Sequence, residues 1–137
     1  MTGPGLKLDC GSSRMTQEVG DYVCELTRRA RLSSSKAYWL RLAVEEITSN
    51  NAEHGYRGHG PVELAAETDE DRVLVQIEDE APAFDPRSHD YSPSSPADRS
   101  TADAGGHGIF LALRNLDAFH YERVGGRNRN TLIMQRA

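Results

Sequence analysis

Two short stretches of strict alternation, Val62, Leu64 and Ala66 followed by Val73, Val75 and Ile77, flank a polar turn at 68–71. Successive side chains of a strand point to opposite faces, so each stretch has one face to bury and one to leave in water. Together they predict an antiparallel hairpin. The preceding segments have a different period. Within 14–31, Met15, Val19, Tyr22, Val23, Leu26 and Ala30 recur at three- and four-residue steps, and Arg28, Arg29 and Arg31 gather where a helix dipole favours cations. A second helix, over 37–53, carries Leu40, Val44 and Ile47 along one stripe. Ser33, Ser34 and Ser35 offer cap oxygens before it, and Gly55 stops it.

The rest of the chain extends this pattern. Residues 6–8 alternate and allow a short first strand. The stretch 87–104 runs through Ser, Pro, Asp and Thr with little that is apolar beyond Tyr91, so it reads as a disordered segment or a functional lid. Gly105, Gly106 and Gly108 lead into an apolar helix at 109–116, and the pairs Phe119 with Tyr121 and Leu132 with Met134 mark two closing strands around Gly125 and Gly126. The order is strand, helix, helix, two strands, lid, helix, two strands. With 137 residues the chain is read as one domain, 1–137. Its fold class is α+β: a two-layer sandwich with helices on one face of a mixed, mostly antiparallel sheet, and not a doubly wound parallel sheet.

Composition narrows the function classes. A net charge of -5 and a pI near 5.5 disfavour broad contact with a phosphate backbone, so direct nucleic-acid binding is not expected. No window approaches an uninterrupted membrane span, and the start of the chain has no basic and apolar leader pattern, so a cytoplasmic, non-membrane protein is expected. Cys10 and Cys24 lack the paired spacing of a zinc site and read as free thiols. The five histidines include no i, i+4 pair, which argues against a transition-metal enzyme.

Three features carry possible chemistry. Glu46, Asn50 and His54 lie at four-residue steps beside the apolar stripe of the second helix. A carboxylate and an amide oxygen one turn apart suit a base for an attacking hydroxyl and a hard ligand for Mg2+; an ordinary solvated face has the same spacing. Asp79 ends the second hairpin strand and opens the run Glu80-Ala81-Pro82-Ala83-Phe84-Asp85-Pro86. There it is expected to face a crevice as an acceptor for a purine amine, although an acidic turn closed by prolines would look alike. Gly106-His107-Gly108 opens a helix whose free amides favour an anion, a pattern shared with plain glycine turns.

In this order the features resemble the Bergerat-type ATP-binding fold of histidine kinases, type II DNA topoisomerases and heat-shock chaperone ATPases. Within it the chain is most similar to the bacterial anti-sigma-factor serine kinases. Residues 42–56 resemble that family's N box, with its Glu, x3, Asn, x3, His spacing. Residues 79–86 resemble its first glycine box, ending in Phe84-Asp85-Pro86, and 105–110 resemble the second. Arg127-Asn128-Arg129-Asn130-Thr131-Leu132 resembles the closing strand motif. The four boxes span nearly the whole chain, about 6–135, and are far more specific together than any one alone.

The resemblance implies ATP and Mg2+ as cofactors. It makes Glu46 the catalytic base, Asn50 the metal ligand and Asp79 the adenine contact. Gly106 and Gly108 become the phosphate-facing lid anchor, and Thr131 is placed near the adenine. His54, Ala81, Phe84, Gly105 and His107 fall within the same nucleotide-binding boxes. Two positions depart from the pattern. Ala81 stands where the first box usually has glycine, implying a Cβ against the adenine or a stiffened turn, and Asn51 replaces the small residue that usually follows the metal-binding Asn. The step from Glu46 and to His54 selects Asn50 as the ligand.

The leading expectation is therefore an anti-sigma-type serine protein kinase. It would phosphorylate a small STAS-type anti-sigma-factor antagonist, sequester a sigma factor and pair as a homodimer through 6–8 and the first helix. The alternatives are a nucleotide-responsive binding module with little kinase turnover and a plain ATP hydrolase.

Overall fold

The computed structural model describes residues 5–52, 56, 60–88 and 106–136. Among these residues the elements are β1 (Leu6–Cys10), α1 (Met15–Ala30), α2 (Ser34–Asn50), β2 (Gly60–Thr68), β3 (Arg72–Asp79), α3 (Gly106–Arg114), β4 (Ala118–Val124) and β5 (Arg127–Gln135), with a 3-10 turn at Pro86–Ser88. The fold is α+β, and the order matches the sequence reading. The five strands lie in the order β1-β2-β3-β5-β4. All four described pairings are antiparallel, so the sheet is not mixed. Gly125 and Gly126 both have positive φ, which the two-residue turn joining β4 to β5 requires.

The helices cover one face of the sheet. Val19 and Val23 of α1 and Leu40, Val44 and Ile47 of α2 form one core with Val62, Leu64, Val73, Val75, Ile77, Leu132 and Met134, which are the inward alternates of β2, β3 and β5. Fully burying an aliphatic side chain of this kind contributes about 1.5 to 3 kcal/mol. Cys10 is buried and Cys24 exposed, both as free thiols. Burial, followed by the charges of Asp79 and Asp9, pushes the Cys10 thiol up to about 11, so it remains protonated.

Helix α2 begins three residues earlier than the periodicity suggests, because Ser33 is the cap: its hydroxyl accepts from the Lys36 amide at 3.2 Å. It also ends earlier. After Asn50 the chain widens into a π-type turn at 51–52, and the Tyr56 amide donates to the Asn51 carbonyl at 2.7 Å. Asn51 itself keeps helical φ/ψ with its amide on the Ile47 carbonyl, so it continues the buried stripe of Leu40, Val44 and Ile47, while Glu46 and Asn50 sit half-buried beside it. Gly55, read as the helix stop, lies outside the described residues. So does most of the lid, whose described part is Arg87 and Ser88 at the end of the 3-10 turn.

Candidate active site

Asp79 closes β3 on the same inward face as Val73, Val75 and Ile77, and it is 0% exposed. This corrects the expectation of a side chain opening directly into a crevice: two amides cover it. A buried carboxylate is tolerable only when its oxygens are hydrogen-bonded. Oδ1 accepts from Asn128 Nδ2 at 2.8 Å and from the Ala81 amide at 3.0 Å, and Oδ2 accepts from Asn51 Nδ2 at 2.9 Å. Burial raises the Asp79 carboxyl above the ordinary carboxylate range. The opposing, lowering influences are the Asn128 bond, the Ala81 amide, the Arg123 charge and the Asn51 bond.

Asn128 reaches Asp79 because it stands directly opposite in the β3–β5 register. It is 1% exposed and holds the whole turn that follows Asp79. Its Nδ2 also approaches the carbonyls of Pro82 at 3.1 Å and Ala81 at 3.2 Å, while its Oδ1 accepts from the Phe84 amide at 3.2 Å and from the Tyr121 hydroxyl. From β4, Arg123 donates to the Ala81 carbonyl at 2.7 Å. On the other side the Tyr56 hydroxyl accepts from the Glu80 amide at 2.6 Å and donates to the Pro61 carbonyl at 2.6 Å. The turn is thus tied to β2, β4 and β5 at once.

A second cluster joins α2 to α3. A Cβ placed on Gly108 would lie 2.5 Å from Glu46 Oε1 and 2.7 Å from its Cδ. Glycine is therefore required for the first turn of α3 to lie against the Glu46 carboxylate as it does. The same turn carries the backbone amides that no helical carbonyl satisfies, which gives this corner of the molecule a positive partial charge.

These contacts set the sequence-derived candidates in place. Glu46 and Gly108 meet, and Asn50 ends α2 one residue before the Asn51 that bonds Asp79. Phe84 is half-buried, with its amide on Asn128. Gly106 and His107 belong to the first turn of α3, while His54 and Gly105 lie outside the described residues. Ala81 is 2% exposed, and neither it nor Ala83 has the left-handed φ that would call for glycine, so the turn accommodates both alanines without strain. Thr131 is misplaced by the sequence reading. The inward positions of β5 are 128, 130, 132 and 134, and Thr131 alternates to the other face, in register with Gln76 and His120. The residue beside Asp79 is Asn128. Asn51, Tyr56, Asn128 and Arg123 were not singled out as candidates, although an amide at an inward strand position is a readable signal.

A two-layer sandwich with an acidic residue ending β3 and a glycine-opened helix facing a glutamate on α2 is the frame of a histidine kinase-like ATPase domain. The chain matches the family model of that description over residues 12–136, and it belongs to that family. It is 32% identical over 113 residues to the serine/threonine-protein kinase BtrW of Bordetella bronchiseptica, covering 80% of this chain and 78% of that one. Among solved structures it resembles the histidine kinase AdeS of Acinetobacter baumannii, with 14% identity and a TM-score of 0.49 over 97% of this chain and 68% of that one. The domain is a kinase-like ATP-binding domain. Among the described residues no helix is long and apolar enough to cross a membrane.

Proposed function

We propose that this chain is an ATP- and Mg2+-dependent serine/threonine protein kinase of the anti-sigma type. It would transfer phosphate to a serine of a small STAS-type antagonist and, through the same partner network, hold a sigma factor. The observation that supports this best is the contact between the Glu46 carboxylate and Gly108, which brings a candidate base to the amide-rich start of α3. The named relative BtrW, a serine/threonine-protein kinase, supports the class of acceptor.

The residues fit the two groups the reaction needs. Asp79 offers a buried acceptor for an exocyclic amine, and the amide-rich, glycine-opened first turn of α3 suits phosphate oxygens. Among the described residues no three of His, Cys, Asp or Glu gather as a metal site. An Mg2+ ion would therefore rest on the Asn50 amide oxygen and on the phosphates, and when bound it would neutralise charge on the transferring group. Glu46 takes the proton of the substrate hydroxyl as that oxygen attacks phosphorus. The half-buried position of Glu46 keeps the carboxylate at one edge of the site.

Incubating the protein with labelled ATP, Mg2+ and candidate antagonist proteins should place label on an antagonist serine. Tight ATP binding with no transfer to any acceptor would replace the kinase by the nucleotide-responsive binding module. A further expected result concerns Gly108→Ala. Alanine improves helix propensity by up to about 1 kcal/mol, so the thermal midpoint should hold or rise. The added Cβ must push the Glu46 carboxylate away, so transfer should fall by about tenfold or more, corresponding to about 1.4 kcal/mol in the barrier. Wild-type turnover in this variant would show that the contact is unnecessary.

A further inference from the structure

Tyr56 closes a ring of contacts around the end of α2. Its amide donates to the Asn51 carbonyl at 2.7 Å, which seats it on the turn that carries Asn50 and Asn51. Its hydroxyl accepts from the Glu80 amide at 2.6 Å, one residue beyond Asp79, and donates to the Pro61 carbonyl of β2 at 2.6 Å. Burial pushes the phenol above its ordinary range, so the hydroxyl keeps the proton it donates. The ring of contacts closes through Asn51, whose Nδ2 donates to Asp79 Oδ2 at 2.9 Å. Gly60 completes the seat. A Cβ there would lie 2.3 Å from Cδ1 and Cε1 of the Tyr56 side chain, so glycine is what lets β2 begin directly against it.

A single bond between the end of α2 and the turn after β3 would leave the helix end free to pivot about it. Two bonds at different points remove the pivot. Asn51 supplies one, through the Asp79 carboxylate, and Tyr56 supplies the other, through the Glu80 amide. The residue whose place they fix together is Asn50, the last of α2. We propose that Tyr56 is a positioning residue that joins the acceptor end of the nucleotide site, at Asp79, to its metal end, at Asn50, so that Mg2+ and ATP strengthen each other's binding through the Tyr56 hydroxyl. Both ends can be satisfied by one nucleotide only at one spacing, and a ligand group must be held to within about 0.5 Å to serve. Without the hydroxyl the Asn51 bond remains and α2 can turn about it. Asp79 then keeps its place while Asn50 loses its own. The inference rests on the nucleotide-binding reading above.

The test is calorimetric binding of ATP, in saturating Mg2+ and in EDTA, to the wild type, Tyr56→Phe and Gly60→Ala, with the thermal midpoint of each measured alongside. Both hydroxyl bonds lie at an exposed edge, where water can replace the lost group, so Tyr56→Phe should fold. In the wild type Mg2+ should raise ATP affinity about tenfold or more, within the range of coupled sites. Tyr56→Phe should bind metal-free ATP near the wild-type affinity, and its Mg2+ enhancement should shrink about fivefold or more. Gly60→Ala keeps the hydroxyl but pushes the ring aside, and it should lose the enhancement in the same way. Equal losses with and without Mg2+ in Tyr56→Phe would mean that the hydroxyl only supports the fold, and an undiminished enhancement would mean that Asn50 is placed without it; either overturns the inference while nucleotide binding stands. A wild type that binds ATP equally with and without Mg2+ would overturn it too. A wild type that binds no ATP would overturn the nucleotide reading itself, and the coupling with it.

Discussion

Replacing Glu46 by Gln is expected to reduce phosphotransfer about 10^2- to 10^4-fold while ATP still binds, because the amide keeps the size and hydrogen-bonding reach of the carboxylate but cannot take a proton. Asn50→Ala is expected to behave differently. It removes the one side-chain oxygen assigned to Mg2+, so nucleotide affinity and turnover should fall together. Single-turnover transfer and calorimetric ATP binding, measured on both variants, separate the two roles. Glu46→Gln with wild-type transfer would show that the base lies elsewhere. Gly108 adds a geometric control, since its contact with Glu46 places the carboxylate without altering its chemistry.

Asp79→Asn should weaken ATP binding by about 1 to 3 kcal/mol, the range for leaving a buried polar group poorly matched. The same change should show a distinct effect on folding. Burial holds the Asp79 carboxyl above its ordinary value, so the native state keeps this proton to higher pH than the unfolded chain does. The stability that the protonated form contributes is fully present below the ordinary carboxylate range, and it is lost as pH rises through the raised native value. Asparagine does not titrate. The stability of wild type relative to Asp79→Asn should therefore decline from acid toward neutral pH and then level off, as read by denaturant unfolding across that range. A difference that is flat, or that rises with pH, would contradict the raised native value. At neutral pH the variant should be at least as stable as the wild type while binding ATP worse, because Asn51 can turn its amide to present an oxygen.

Periodicity carried most of the fold. The helical steps of Val19, Val23, Leu40 and Val44 and the alternation of Val62, Leu64, Val73 and Val75 depend only on which face is buried, and these elements form where the pattern puts them. What periodicity does not encode is which strands become neighbours: β5 inserts between β3 and β4, and only that insertion sets Asn128 opposite Asp79. The site was legible in the same uneven way. Glu46 and Gly108 are 62 positions apart in the chain (108 − 46), yet each was marked by its own local pattern. Thr131 was misassigned although parity alone was enough to correct it, since Leu132 and Met134 point inward and the residue beside them must point out. Asn51 stood out only as a replacement for the usual small residue, because a buried amide has no visible purpose until its partner is known. That partner, Asp79, lies 28 residues away.

The position of β5 also has consequences for how the molecule comes together. Asp79 and Asn128 are separated by 49 residues, and the strand that seals the middle of the sheet is the last described strand in the chain. Contacts of such long sequence separation form slowly, because the loop must close before any of them is gained. A chain folded only through β3 would present that strand as an open edge, with its unpaired amides and carbonyls available to another chain, and its buried acid would lack the strand-side amide. Nucleotide capture therefore belongs to the finished molecule alone. By mass action ATP would draw partly assembled chains toward completion, so the ligand would double as a folding aid, and its absence would be felt first as aggregation through β3.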